Sequence, residues 1–328
     1  MYSWQDSQWG GIMQRKNALP HALLLRGRAG IGKYDFALSV SRALLCQNPD
    51  SAQHACGVCP SCLWLAEGNH PDFRLISPEQ DEGSEDAPKK KVTKKTQISI
   101  AQIRQLSDYL SLSTHQAHGK RIVLISPAET LNTISANALL KMLEEPPANT
   151  LFLLVTSQPQ RLLPTISSRC QALDMPIPSR QDAINWLHEQ GVQHAEIALD
   201  YAGGSPLLAL EMQTQLETTS GLIKQLALGA GLDPFVSASL FLSLGMERAL
   251  ETLQKWIFDL VNFKLAHQLH YNAQQASALQ ALCKSVNLGV LMGFQQILIN
   301  AKKTADHPLS NEMQLENMLL QYTYIFKN

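Results

Sequence analysis

No charge of one sign predominates in this chain: 27 Lys and Arg residues stand against 28 Asp and Glu, and charged residues make up only 17% of it. Without a global field, a polyanion has to be held by a local patch or a shared surface. Met1 to Gly11 lacks the basic start and unbroken apolar stretch of a secretory signal, and no later run reaches the ~20 apolar residues of a membrane helix. A cytoplasmic protein is expected. The ten histidines are scattered, so none is assigned a chemical role, and no internal repeat stands out.

What is present is length and apolar content, 328 residues of which 45% are hydrophobic, enough for two or three domains. Five apolar, β-rich runs read as strands: Ala22–Arg26, Asp72–Ile76, Arg121–Ile125, Leu151–Thr156 and Gln171–Met175. Helical spacing separates them, in Lys33 to Cys46 and in Thr130 to Glu145, where Pro146 and Pro147 stop the helix. This alternation predicts a parallel five-stranded sheet with helices on both faces. Beyond Pro178 strand signals cease, and Gln181–Glu189, Met246–Leu265 and Val290–Ala301 are patterned as helices. The segment Glu79 to Gln97, with its acidic cluster followed by five lysines, reads as a solvated loop; a nucleic-acid-binding arm is the sharper alternative.

Four of the six cysteines crowd into Cys46, Cys56, Cys59 and Cys62, a C-x₉-C-x₂-C-x₂-C pattern. In a reducing compartment such clustering points to metal rather than disulfides, and four thiolates suit a closed tetrahedral Zn²⁺ of structural type. Unmetallated thiols, or His54 or His70 in place of one cysteine, are the alternatives. Cys170 and Cys283 read as small buried apolar residues.

After the first strand comes Gly27-Arg28-Ala29-Gly30-Ile31-Gly32-Lys33-Tyr34, the G-x-x-x-x-G-K part of a phosphate-binding loop. Gly27, Gly30 and Gly32 let backbone N–H groups wrap a phosphate, and Lys33 adds a charge beside it. The next position calls for a Ser or Thr hydroxyl on Mg²⁺ but holds Tyr34. The two acids expected after the strand Arg121–Ile125 are replaced by Ser126 and Pro127, and Glu129 farther along has no evident reason to substitute. Hydrolysis needs a metal ion and an oriented water, so catalysis is expected to be lost; whether ATP still binds is left open.

Two further segments, Ser135-Ala136-Asn137-Ala138-Leu139-Leu140-Lys141-Met142-Leu143-Glu144-Glu145-Pro146-Pro147 and Ser167-Ser168-Arg169-Cys170, closely resemble motifs of bacterial clamp-loader subunits. The resemblance covers roughly Leu19 to Leu210. It implies an α/β P-loop (AAA+) domain over residues 1–174 with a zinc module at 46–62, a helical lid over 175–213 and an all-α collar over 214–328. It also implies that Arg169 is a finger reaching in trans into a neighbouring ATPase subunit, and that Thr156 or Ser157 is a polar sensor of nucleotide. Leu207 stands where hydrolysing relatives carry a sensor arginine, so Tyr34, Ser126, Pro127 and Leu207 all depart toward a non-hydrolysing subunit. The implied partners are the motor ATPase subunits and delta, in a hetero-pentamer of the DNA polymerase III clamp loader, with the sliding clamp and primer-template DNA met through the assembly. An ordinary ATPase with unusual metal ligands is one alternative; a stand-alone zinc-binding DNA module, disfavoured by the neutral charge, is another.

Overall fold

The computed structural model describes residues 1–79, 97–111, 120–213, 216–303 and 311–326. Most of the charged segment between Glu79 and Gln97 lies outside the described residues. Two compact units are present, Met1–Ser179 and Arg180–Asn328.

In the first unit, β1 (Ala22–Arg26), β2 (Phe73–Ile76), β3 (Arg121–Ile125), β4 (Thr150–Thr156) and β5 (Gln171–Asp174) form a parallel sheet in the order β2-β3-β4-β1-β5. Side chains alternate across a strand, so Leu24, Val123, Phe152 and Leu154 enter one core while Leu23, Leu25, Leu124 and Leu153 enter the other. Helices α1 (Asp6–Gln14) and α2 (Lys33–Leu45) cover the second face; α3 (Pro60–Ala66) follows α2. Helices α4 (Ile100–Ser111) and α5 (Thr133–Glu144) cover the first, and the single turn α6 (Pro164–Ser167) leads into β5. With both faces covered, β1, β3 and β4 have to be apolar at consecutive positions. The start of α5 is set by Asn132, whose side chain accepts the Ser135 N–H at 2.8 Å, a cap worth about 1 kcal/mol.

The second unit is helical among its described residues. Helices α7 (Arg180–Glu189), α8 (Ala195–Tyr201) and α9 (Pro206–Met212) share a small core that includes Ala183, Leu187, Leu199 and Ala209. A larger core unites α10 (Leu216–Leu226), α11 (Pro234–Leu242), α12 (Met246–Ala266), α13 (Ala276–Ser285), α14 (Leu288–Lys303) and α15 (Asn311–Tyr324). Its centre is Trp256 and Tyr322, both fully buried: the indole N–H donates to the phenol at 2.8 Å, and the phenol donates to the Leu226 carbonyl at 2.5 Å. Both polar tips are thus satisfied, which is the condition for burying such rings. No single described helix is long and apolar enough to cross a membrane.

Candidate nucleotide and metal sites

The register that sets Arg26 beside Thr156 brings the carboxyl ends of β1 and β4 together, and the glycine-rich loop leaves the sheet at that point. It runs into α2, whose first N–H groups have no intrahelical partner and so face outward as an anion site. Gly32, the residue before α2, has φ of 81°, and a β-carbon there would lie 2.2 Å from the Tyr2 ring. Glycine is required twice over, for its left-handed backbone and for its missing side chain.

The close neighbour Tyr2 belongs to an N-terminal brace that sequence reasoning missed. Trp4 Nε1 donates to the Ile31 carbonyl at 3.1 Å, and Gln5 Nε2 donates to the Ile31 and Gly32 carbonyls, each at 3.0 Å. The Tyr2 hydroxyl donates to Asp35 Oδ2 at 2.9 Å, and its ring stacks on Trp4 with centroids 4.8 Å apart. Because C=O and N–H of one planar peptide point in opposite directions, holding these carbonyls turns the Gly32 and Lys33 N–H groups the other way. The brace therefore grips the back of the loop and leaves its phosphate side free. Only the aromatic pair in an otherwise polar stretch could have signalled it.

Lys33 is buried, and its ammonium donates to Ser157 Oγ at 3.0 Å and to the Arg28 carbonyl. Burial lowers its pKa to about 8, and Glu129 acts in the opposite direction. A lysine at that value is charged below the midpoint and neutral above it. Uptake of pyrophosphate by the loop is therefore expected to weaken as pH rises from about 7 to about 9, with the bound-state midpoint moved upward by the anion itself. Calorimetric titration across this range checks it; Lys33→Met should abolish the dependence, and a flat wild-type profile would contradict the assignment.

Tyr34 is 39% exposed where a small hydroxyl would hold a metal. Ser126 and Pro127 follow β3 without a carboxylate between them. Glu129, however, is brought to the site by the one-turn helix Ala128–Thr130: its Oε1 accepts the Ser157 N–H at 3.1 Å, while Oε2 is buried with no hydrogen-bond partner. Ser157 so links Glu129 to Lys33, and the carboxylate gives the buried ammonium an internal counter-charge. A negative group in that place also repels an entering phosphate. Of the two residues expected to sense nucleotide, Thr156 is fully buried with its hydroxyl accepting the Gln158 N–H at 3.1 Å, and Ser157 is the one that meets Lys33. In the second unit, Leu207 lies in α9 and offers no cation.

Arg169 follows α6 with about a third of its side chain exposed, 34%. Its Nη2 lies 2.5 Å from Glu144 Oε1 and its Nη1 donates to the Thr165 carbonyl at 3.0 Å. The two motifs quoted for the resemblance are thereby joined by an ion pair, with the guanidinium held at the surface by its own chain.

The four cysteines converge: their Sγ atoms all lie within 4.8 Å of one another. Measured separations are 3.6 Å for Cys46–Cys56, 3.9 Å for Cys46–Cys59 and 4.0 Å for Cys56–Cys62. A tetrahedron with Zn–S bonds of about 2.3 Å has edges of about 3.8 Å, whereas a disulfide needs about 2.05 Å. The donors fit a metal ion and exclude a disulfide. Backbone N–H groups of Cys56 and Cys59 donate to Cys46 Sγ and Cys56 Sγ at 3.3 and 3.4 Å, which favours thiolates.

Neither histidine alternative joins this cluster. His54 stacks on Trp9 with centroids 4.6 Å apart. His70 Nδ1 accepts the Asp72 N–H at 3.0 Å, so the proton sits on Nε2, which donates to Ser61 Oγ at 2.8 Å; the Ser61 hydroxyl in turn donates to the Leu45 carbonyl at 2.7 Å. The polarity runs away from the imidazole and toward the carbonyl, the reverse of what a nucleophilic serine needs. Instead the chain of bonds ties the residues beside Cys46 and Cys62 together. Cys170 is buried, its thiol pushed up to about 11 by that burial, and it stands apart from the cluster.

Comparison with known proteins gives these features a family. The model described as "DNA polymerase III, delta subunit" matches residues 11–179. The DNA polymerase III subunit delta' of Pseudomonas aeruginosa is 34% identical over 81% of this chain and 79% of its own. That of Haemophilus influenzae is 29% identical over 92% and 88%. For Escherichia coli the match is 34% over 58% of this chain and 54% of that one. The matched span holds the phosphate loop, the cysteine cluster and Arg169 together, and the chain belongs to the DNA polymerase III delta-prime subunit family.

Proposed function

We propose that this chain is a non-hydrolysing subunit of the DNA polymerase III clamp loader, lending Arg169 in trans to the ATP site of a neighbouring motor subunit while the sliding clamp is placed on primed DNA. One observation carries the reading: the loop keeps its cradle and Lys33 but has Tyr34, Ser126 and Pro127 where a magnesium hydroxyl and two acids belong. Glu129 does not restore them, because it is a single carboxylate where a hydroxyl and two acids belong, and it stands beside Lys33 as the counter-charge of that buried ammonium. The partners in this reading are motor ATPase subunits and delta in a hetero-pentamer, with clamp and primer-template DNA met through the assembly.

The lid over 175–213 and collar over 214–328 are part of the same proposal, supported by two separate cores within the second unit. Exposed Phe235, Val236, Met292, Ile299, Met313 and Tyr324 on the larger group of helices suit packing against other subunits. The ion held by Cys46, Cys56, Cys59 and Cys62 is proposed to be structural Zn²⁺, since four protein ligands leave no position for a reacting water.

Purified chain mixed with ATP and Mg²⁺ is expected to show no turnover above background in a coupled phosphate-release assay. Turnover that disappears on Lys33→Ala would instead make this an ordinary ATPase and defeat the proposal.

A further inference from the structure

The phosphate loop has an anion of the protein's own beside it, in a position that the fold sets. The turn that carries Glu129 is anchored at three points: Ala128 is fully buried, the Thr130 hydroxyl donates to the Pro127 carbonyl at 2.6 Å, and the Thr130 carbonyl accepts the Ile98 N–H at 3.0 Å. From this turn the carboxylate reaches Ser157, and its two oxygens are unequally served. Oε1 accepts the Ser157 N–H at 3.1 Å, whereas Oε2 is buried with no hydrogen-bond partner. A carboxylate so placed depends on a nearby positive charge. That charge is Lys33, which donates to the hydroxyl of the same Ser157 at 3.0 Å and which Glu129 favours in its protonated form.

A count of charges shows what this leaves for a ligand. One ammonium balances one negative charge, and Glu129 supplies it from within. The other charged groups near the loop are engaged elsewhere: Asp35 accepts the Tyr2 hydroxyl at 2.9 Å, Arg26 is paired with Asp174, and Arg28 is exposed to water. A polyphosphate arriving with several negative charges is then met chiefly by backbone N–H groups and the start of α2.

Donor supply is not the obstacle. An ammonium has three N–H donors, and the Arg28 carbonyl and Ser157 Oγ use two of them, leaving a third for a phosphate oxygen. Charge is the larger effect, because repulsion between groups a few ångströms apart at an effective dielectric near 20 amounts to tenfold or more in affinity.

We infer that Glu129 sets the anion affinity of this loop: a built-in carboxylate neutralises Lys33 and holds the affinity for polyphosphate low in a cradle that is otherwise competent. The inference rests on reading Gly27 to Lys33 as a phosphate loop. It adds a cause that Tyr34, Ser126 and Pro127 do not supply, since their absent oxygens concern the metal and the water rather than the cradle.

The test is calorimetric titration of the full chain at neutral pH with pyrophosphate and, separately, with inorganic phosphate, circular dichroism verifying the fold. Glu129→Gln keeps the size of the side chain and an oxygen for the Ser157 N–H while removing the charge. It should bind pyrophosphate about tenfold more tightly than wild type, or better. The gain should be smaller for inorganic phosphate, which brings fewer charges; a change of shape alone would not follow ligand charge in this way. Glu129→Asp, which retains the charge, should stay within about threefold of wild type, and adding Lys33→Met to Glu129→Gln should erase the gain. Equal pyrophosphate affinity in wild type and Glu129→Gln, or no saturable uptake by Glu129→Gln, would overturn the inference and leave the non-hydrolysing reading intact. Brisk ATP turnover by the wild-type chain would do the opposite.

Discussion

In the role proposed for Arg169, its replacement by alanine (Arg169→Ala) is expected to lower ATP turnover at one neighbouring site by about 10³-fold, with the assembly still formed. The magnitudes decide what the guanidinium does. Its pair with Glu144 has both side chains substantially exposed, 34% and 48%, and such surface pairs contribute about 0–1 kcal/mol. Charge developing on a γ-phosphate in a water-poor interface is worth roughly 4 kcal/mol to an aligned arginine, the equivalent of ~10³ in rate. In the proposed role the phosphate wins, and the Glu144 pair is too weak to hold Arg169 back from it. Glu144→Gln should therefore change turnover no more than a few fold. Arg169→Lys should recover only part of the loss, because an ammonium lacks the planar fork. Measuring phosphate release from the reconstituted loader, with gel filtration to verify assembly, separates the cases. An unchanged rate with Arg169→Ala would leave the arginine as a surface ion pair and nothing more.

Much of the first unit was legible because burial on both faces forces long apolar runs. The predicted strands recur with their ends shifted by one residue at most, as in Asp72–Ile76 against the observed Phe73–Ile76, and the Thr130–Glu145 helix begins later, at Thr133, once Asn132 caps it. The cysteine cluster was legible for a different reason: two-residue spacers leave thiols little choice but to converge. What stayed hidden depends on contacts between distant parts of the chain. The brace of Tyr2, Trp4 and Gln5 meets the phosphate loop some 26 to 33 positions away and follows no motif. Glu129 reaches the site only because a one-turn helix turns it toward the Ser157 N–H, a local geometry that apolar periodicity does not encode.

Stripping the metal is expected to be the largest single perturbation of the first unit. Purified without chelator, the chain should carry about one zinc, read by mass spectrometry of the metal. Structural Zn²⁺ contributes ~10–16 kcal/mol to small peptides that fold around it; here the sheet survives on its own core, so only part of that is at stake. A loss of roughly 3 kcal/mol is expected on Cys59→Ser or on chelation, lowering the Tm by about 6–12 °C for a unit of this size. The damage should be local first. The cluster joins the end of α2 to α3, and the segment between them rests on Trp9, through the stacked His54 ring and the Ala52 carbonyl, which accepts the indole N–H at 3.1 Å. Hydrogen exchange should accordingly rise over residues 46–70 well before the strands open. Cys170→Ala serves as the control, since it removes a buried thiol that faces no other cysteine and should leave the zinc content unchanged. Zinc-free protein with unaltered exchange over 46–70 would mean that the thiols hold the module together by packing and hydrogen bonds alone, with the Ser61–His70 chain carrying the link to Leu45.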